Sequence, residues 1–123
     1  MVIDTSIFIE FLRSKQKENT ILYNLPENIR HSLSSVTLFE LYMGATSSEK
    51  ESDILKSTDE LTILPFSDEI AVKAGRIYQE LRKKNQLIDF RDIFIAATCL
   101  VHNLELVTLN KKHFERINGL VLA

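Results

Sequence analysis

The order of local patterns along the chain constrains its fold more than any single residue does. Short apolar runs rich in β-branched residues alternate, from end to end, with segments whose apolar residues recur at helical spacing. That alternation marks βαβ units and predicts an α/β fold in three α/β/α layers, its central sheet mostly parallel and roughly five-stranded. Strands are expected near residues 1–4, 32–35, 61–65, 104–108 and 119–122. The clearest helix begins after Ser67, a good N-cap. Asp68 and Glu69 suit its positive end, Ile70, Ala74, Ile77, Tyr78 and Leu81 share one face, and Arg82 to Lys84 close the last turn. A second strong helix runs from about Asp89 to His102. Others are expected near 6–13, 36–45 and 49–59, with a shorter one near 18–25 that ends before Pro26. With 3 Gly and 2 Pro, the chain has little room for long irregular loops.

Composition narrows the setting. A chain of 123 residues with 45% hydrophobic content has the size of one domain and can pack a core without disulfides. The one cysteine, Cys99, lies in an apolar run, so neither a disulfide framework nor a cysteine-rich zinc site is expected, and a reducing, cytoplasmic setting fits. The start lacks the basic flank and cleavage site of a signal peptide, and no apolar run approaches the ~20 residues of a membrane span. A formal charge of −2 argues against nucleic-acid binding by bulk charge, so any basic surface must be local. Arg82-Lys83-Lys84 and Lys111-Lys112 are candidates, although such runs are also what solvated helix ends look like.

In an open parallel sheet the functional crevice lies beyond the carboxyl ends of the strands. Asp4 follows the first strand directly, and Asp4, Thr5 or Ser6 could equally cap the next helix. Glu40 sits among large apolar residues in Val36-Thr37-Leu38-Phe39-Glu40-Leu41-Tyr42-Met43. Thr37 and Glu40 have capping-box spacing. No Lys or Arg stands between Arg30 and Lys50 to pair with Glu40, and a cation would supply the missing charge. In Leu87-Ile88-Asp89-Phe90-Arg91-Asp92, Asp89 suits the N-cap, whereas Asp92 shares a face with Ile95 and Cys99 and so points inward. Thr108 and Asn110 end another strand and could line the crevice, with Lys111, Lys112 and Arg91 in reach of phosphate. His31, His102, His113 and Cys99 are read as structural.

Taken together, Asp4 at a strand end, Glu40 in Thr-Leu-Phe-Glu-Leu-Tyr-Met-Gly, Asp92 before Ile-Phe-Ile-Ala-Ala-Thr, and Val-Thr-Leu-Asn-Lys-Lys-His-Phe resemble the PIN-domain family, and more narrowly its VapC type. The likeness spans nearly the whole chain and implies a single PIN domain over residues 1–123. It puts Asp4, Glu40 and Asp92 on the family's metal-binding acids, and Ser6 and Thr108 on its polar supporting positions. Asn110 stands where the family often has a fourth acid, which bears on a second metal and not on the first. The resemblance further implies an endoribonuclease dependent on Mg²⁺ or Mn²⁺, an RNA substrate, a homodimer, and a small VapB-like antitoxin as partner, with Ile7 to Leu12 and Leu38 to Met43 as apolar contact segments.

The chemistry suits those residues, because Mg²⁺ takes hard oxygen ligands, keeps several waters and uses one or two carboxylates beside substrate phosphate. Two alternatives have distinct signatures. An Asp-nucleophile phosphotransfer protein would want a second acid near Asp4, where this chain has Ser6. A PIN-like RNA-binding module without activity would not need all three acids.

Overall fold

The computed structural model describes residues 1–123. Four parallel strands form the sheet: β1 (Val2–Ile3), β2 (Ser32–Ser34), β3 (Thr62–Leu64) and β4 (Leu106–Val107), in the order β3-β2-β1-β4. Around them lie α1 (Thr5–Arg13), α2 (Ser35–Met43), α3 (Ser48–Thr58), α4 (Asp68–Lys83), α5 (Phe90–His102) and the short α6 (Lys111–Phe114). No helix is long and apolar enough to cross a membrane.

The strands are short, yet their alternation divides the interior. Side chains of successive strand residues face opposite sides of a sheet. Val2 and Leu106 therefore join Ile70, Ala74, Ile77, Ile93 and Ala96 in one buried cluster with α4 and α5. Ile3, Leu33 and Val107 join Ile7, Phe8, Leu41 and Ile54 in the other, with α1, α2 and α3. Those two clusters make the three layers expected from the sequence.

Two expectations needed revision. The region near 119–122 is not a strand: it contributes one parallel bridge, Leu106 with Leu122, so the sheet has four strands and not five. Gly119, at φ 82°, turns the chain just before that bridge, and β4 itself offers only two residues for pairing. Nor does 18–25 form a helix beyond one 3-10 turn at Lys17–Asn19. Polar side chains take the backbone groups a helix would use: the Ile21 amide donates to Glu10 Oε1 at 2.8 Å, and Asn24 Nδ2 donates to the Glu18 and Thr20 carbonyls at 2.8 Å each.

α4 and α5 pack antiparallel. Tyr78 meets the Phe90 ring edge-on at 5.8 Å near one end, and Asp68 to Val72 border Leu100 and Val101 near the other. The C-terminus of α4 thus lies beside the N-terminus of α5. Fully buried Phe114 fastens α6 beneath the same edge of the molecule.

Candidate metal centre at the carboxyl edge of the sheet

The register of the sheet brings the first two polar residues together. Ile3 pairs with Val107 in parallel strands, so Asp4 and Thr108, each one residue beyond, emerge side by side. The Asp4 amide donates to the Val107 carbonyl at 3.0 Å and fixes the exit of β1. Asp4 is 2% exposed. Its Oδ2 accepts from the Ser6 hydroxyl at 2.7 Å, from the Thr108 hydroxyl at 2.8 Å, and from the Ser6 amide at 3.4 Å as the N-cap of α1. The capping reading of Asp4 thus holds for one oxygen only. Its Oδ1 is buried with no hydrogen-bond partner, an arrangement costly for a carboxylate unless a cation completes it.

Ser6 and Thr108, expected as supporting residues, both lie against the Asp4 carboxylate. Ser6 Oγ also accepts from the Leu109 amide at 3.1 Å, and Thr108 Oγ1 accepts from the Asn110 amide at 2.9 Å. Through these bonds the loop after β4 grips the start of α1. Asn110 joins the network by its backbone; its side chain makes no capping bond to α6, and the residue is exposed.

Glu40 arrives from α2. That helix is capped by Ser34, whose hydroxyl accepts from the Val36 amide at 3.0 Å, so the Thr37–Glu40 capping box does not form. Instead the Thr5 hydroxyl donates to Glu40 Oε1 at 3.0 Å and stands 3.0 Å from Thr37 Oγ1. Arg91 Nη1 lies 3.7 Å from Glu40 Oε2. The cation that the local sequence lacked comes from α5, in part. Burial raises the Glu40 pKa; the Thr5 bond and Arg91 oppose this, and the charges of Asp4 and Asp92 add to it.

α5 supplies two acids with different roles. Asp89 is the N-cap, accepting from the Arg91 amide at 2.8 Å, and it also holds the Arg91 guanidinium at 3.1 and 3.3 Å. Asp92 turns inward, with its side chain 19% exposed and Oδ2 3.4 Å from His113 Nδ1. Burial raises its pKa first and the nearby Asp4 charge second, against the lowering effect of His113. Beneath them Cys99 is buried, and desolvation pushes its thiol up to about 12, which keeps it inert at neutral pH.

The three expected acids therefore share one crevice and feel one another's charge. They do not converge into a closed cage, since no three Asp, Glu, His or Cys side chains meet closely enough to hold an ion alone. A site of one or two carboxylates completed by water and phosphate needs no such cage. Thr5, Thr37 and His113 also border the acids, where the sequence offered Thr5 and Thr37 as capping residues and His113 as a structural histidine. Of the expected phosphate contacts, Lys111 and Lys112 are exposed on α6, whereas Arg91 is engaged by Asp89 and Glu40.

Known proteins resemble this chain along most of its length. The family profile of the PIN domain matches residues 1–120. The chain is 33% identical to Ribonuclease VapC1 of Methanocaldococcus jannaschii over 118 residues, 95% of this chain and 80% of that protein. It is similar in structure to VapBC2 from Rickettsia felis, solved bound to a DNA fragment from their promoter, with a TM-score of 0.80, 30% identity and coverage of 99% and 96%. A toxin–antitoxin complex from Klebsiella pneumoniae matches with a TM-score of 0.78, 28% identity and coverage of 98% and 94%. Matched along nearly its whole length, the chain belongs to the PIN-domain family, within its VapC type.

Proposed function

We propose that the chain, folded as one PIN domain, is an endoribonuclease that depends on Mg²⁺ or Mn²⁺, and that it is the toxin half of a toxin–antitoxin pair in the cytoplasm. One observation carries the metal: Asp4 Oδ1 is buried and unpartnered, beside two acids whose pKa values are raised. The donor set fits a hard divalent ion, with Asp4 and Asp92 as the residues to hold it and Glu40 at its margin. When bound, the ion supplies Lewis-acid polarisation of the scissile phosphodiester and of the attacking water.

The chain's own residues do the rest. Ser6 and Thr108 lock the Asp4 carboxylate so that Oδ1 is the free oxygen, and His113 steadies Asp92. Glu40, with Oε1 tied to Thr5, takes a proton from the water through Oε2 as the water oxygen bonds to phosphorus. Its raised pKa makes it a stronger base than an ordinary carboxylate. The P–O bond to the leaving oxygen breaks, and that oxygen gains a proton from solvent. Lys111 and Lys112 stand at the rim to meet phosphate, with Asn110 beside them.

The toxin role rests on the VapC1 and toxin–antitoxin relatives. A second copy of the chain and a small VapB-like antitoxin are the proposed partners. Ile7, Phe8 and Leu41 are spent in the core, but Phe39 and Met43 of α2 are 59% and 58% exposed and offer apolar contact surface. The test is cleavage of a structured RNA pool by the wild type and by Asp92→Asn, with Mn²⁺, Mg²⁺ or EDTA. Discrete cuts that require metal and vanish in Asp92→Asn are expected; equal cutting by both proteins would sink the site.

A further inference from the structure

Charge is segregated in this chain. Residues 82–91 and 110–116 hold seven Lys and Arg against two acids, whereas the remainder holds eight against fifteen. The fold gathers the two basic segments along one border. The antiparallel pairing of α4 with α5 sets Arg82, Lys83 and Lys84 beside the start of α5. Arg116 Nη1 donates to the Gln86 and Leu87 carbonyls, at 3.4 Å each, and pins the segment after α6 to the turn between those helices. Within α6 itself, His113 touches Asp92. Lys83, Lys84, Arg116 and Lys112 are exposed, and no carboxylate lies within ion-pair distance of them. The opposite flank carries more acid than base, with exposed Glu49, Glu51, Asp53, Asp59 and Glu60 on and just after α3 against Lys50 and Lys56.

A helix C-terminus favours cations, which gives Lys83 and Lys84 an ordinary role. That role accounts neither for the second basic segment brought against the first nor for the strip ending at the acids. We infer that this border is the track for the substrate's phosphate backbone: single-stranded RNA reaches the crevice across the C-terminus of α4 and over α6, and is repelled from α3. The inference rests on the ribonuclease reading and adds a direction of approach to it. Contacts of this kind position the strand without reading its bases.

Salt dependence separates such a track from general charge. Each phosphate contact to a single strand contributes about −0.7 to the slope of log affinity against log salt. In an Asp92→Asn background, which leaves RNA uncut on the ribonuclease reading, binding of a fluorescent oligouridylate would be followed against KCl concentration. Lys83→Glu/Lys84→Glu is expected to weaken binding at least tenfold and to flatten the slope by about 1.4. Lys83→Gln/Lys84→Gln should flatten it similarly, and thermal melting checks that each variant folds. Lys73→Glu/Arg76→Glu makes the same charge change on α4 near Leu100, away from the crevice, and should leave the slope in place. Equal losses in the two Glu variants, or no loss at 83 and 84, would overturn the track. Parallel cleavage by the otherwise wild-type protein distinguishes the failures. Cutting with an unaffected slope removes the track alone, whereas neither cutting nor binding removes the ribonuclease reading with it.

Discussion

The rim and the floor of the crevice place the same residue type, three positions apart on one helix, in opposite electrostatic circumstances. At the rim, Asp89 is exposed and bound to Arg91 by side chain and backbone, and these bonds hold its carboxyl below the ordinary range. On the floor, Asp92 is pushed above that range by burial and by Asp4. Helix position alone would have treated the two alike, since both lie at the positive end of α5. The difference teaches that a cap is satisfied by the protein itself, whereas the floor is left short of positive charge. An unmet need of that kind is where a ligand is expected.

The sharpest way to break this comparison is to remove one charge from each place. Asp4→Asn or Asp92→Asn should lower metal-dependent RNA cleavage by about 10²–10³-fold, the size of losing one charge-stabilising group from a preorganised site. Asp89→Asn keeps a capping oxygen and should leave the rate nearly intact. Initial rates on one defined RNA check this, and a rim variant as damaged as a floor variant would erase the distinction.

Next in size is the support beneath the floor. Thr108→Val or Ser6→Ala frees the Asp4 carboxylate from one of its two hydroxyl partners, and His113→Phe removes the neighbour of Asp92. Loss of such outer partners costs roughly 10–100-fold in metal affinity. Mn²⁺ titration by electron paramagnetic resonance, which needs no turnover, should show the decrease. An unchanged Mn²⁺ affinity in Thr108→Val would mean that the hydroxyl serves only to join the loop to α1.

How far the sequence revealed this division follows from what each residue depends on. Asp4, the place of Thr108 beyond a strand, and the cap at Asp89 were legible because strand ends and helix starts are local patterns, whereas a supporting role for Ser6 came only from the family resemblance. The parallel layers were legible for the same reason. Glu40 was ambiguous because its capping box hung on where α2 begins, and the hydroxyl of Ser34 claimed the cap three residues before Thr37. Arg91, His113 and Thr5 depend on contacts between elements far apart in sequence, such as the 35 residues separating Thr5 from Glu40, which no local pattern encodes. The missing fifth strand shows the same limit: Leu120 to Leu122 have strand composition, but β4 leaves them only Leu106 to pair with.

Smaller still are the stability effects, where rim and floor should differ in sign. Asp89→Ala removes a helix cap and should cost about 1 kcal/mol in urea unfolding. Asp89→Asn retains the cap but loses the charge. The lowered Asp89 pKa contributes stability above its ordinary 3.8, lost as pH falls through the lower folded value, so the Asn variant should weaken the protein only on the neutral side.

On the floor the signs reverse. Asp92 and Glu40 have folded pKa values raised above 3.8 and 4.5, so the stability each contributes is complete below those values and is lost as pH rises through the folded ones. In EDTA, the wild type should therefore be weakened toward neutral pH by ionising its own site. Asp92→Asn relieves this and should be the more stable protein at neutral pH by about 1 kcal/mol, with the advantage fading in acid. Adding Mn²⁺ binds the folded wild type selectively and should reverse the order. Urea unfolding at pH 4 and pH 7, with and without metal, tests the whole cycle. A variant no more stable than the wild type at pH 7 in EDTA would mean that the raised carboxylates already have a counter-charge within the protein, and Arg91 would be the first residue to replace in looking for it.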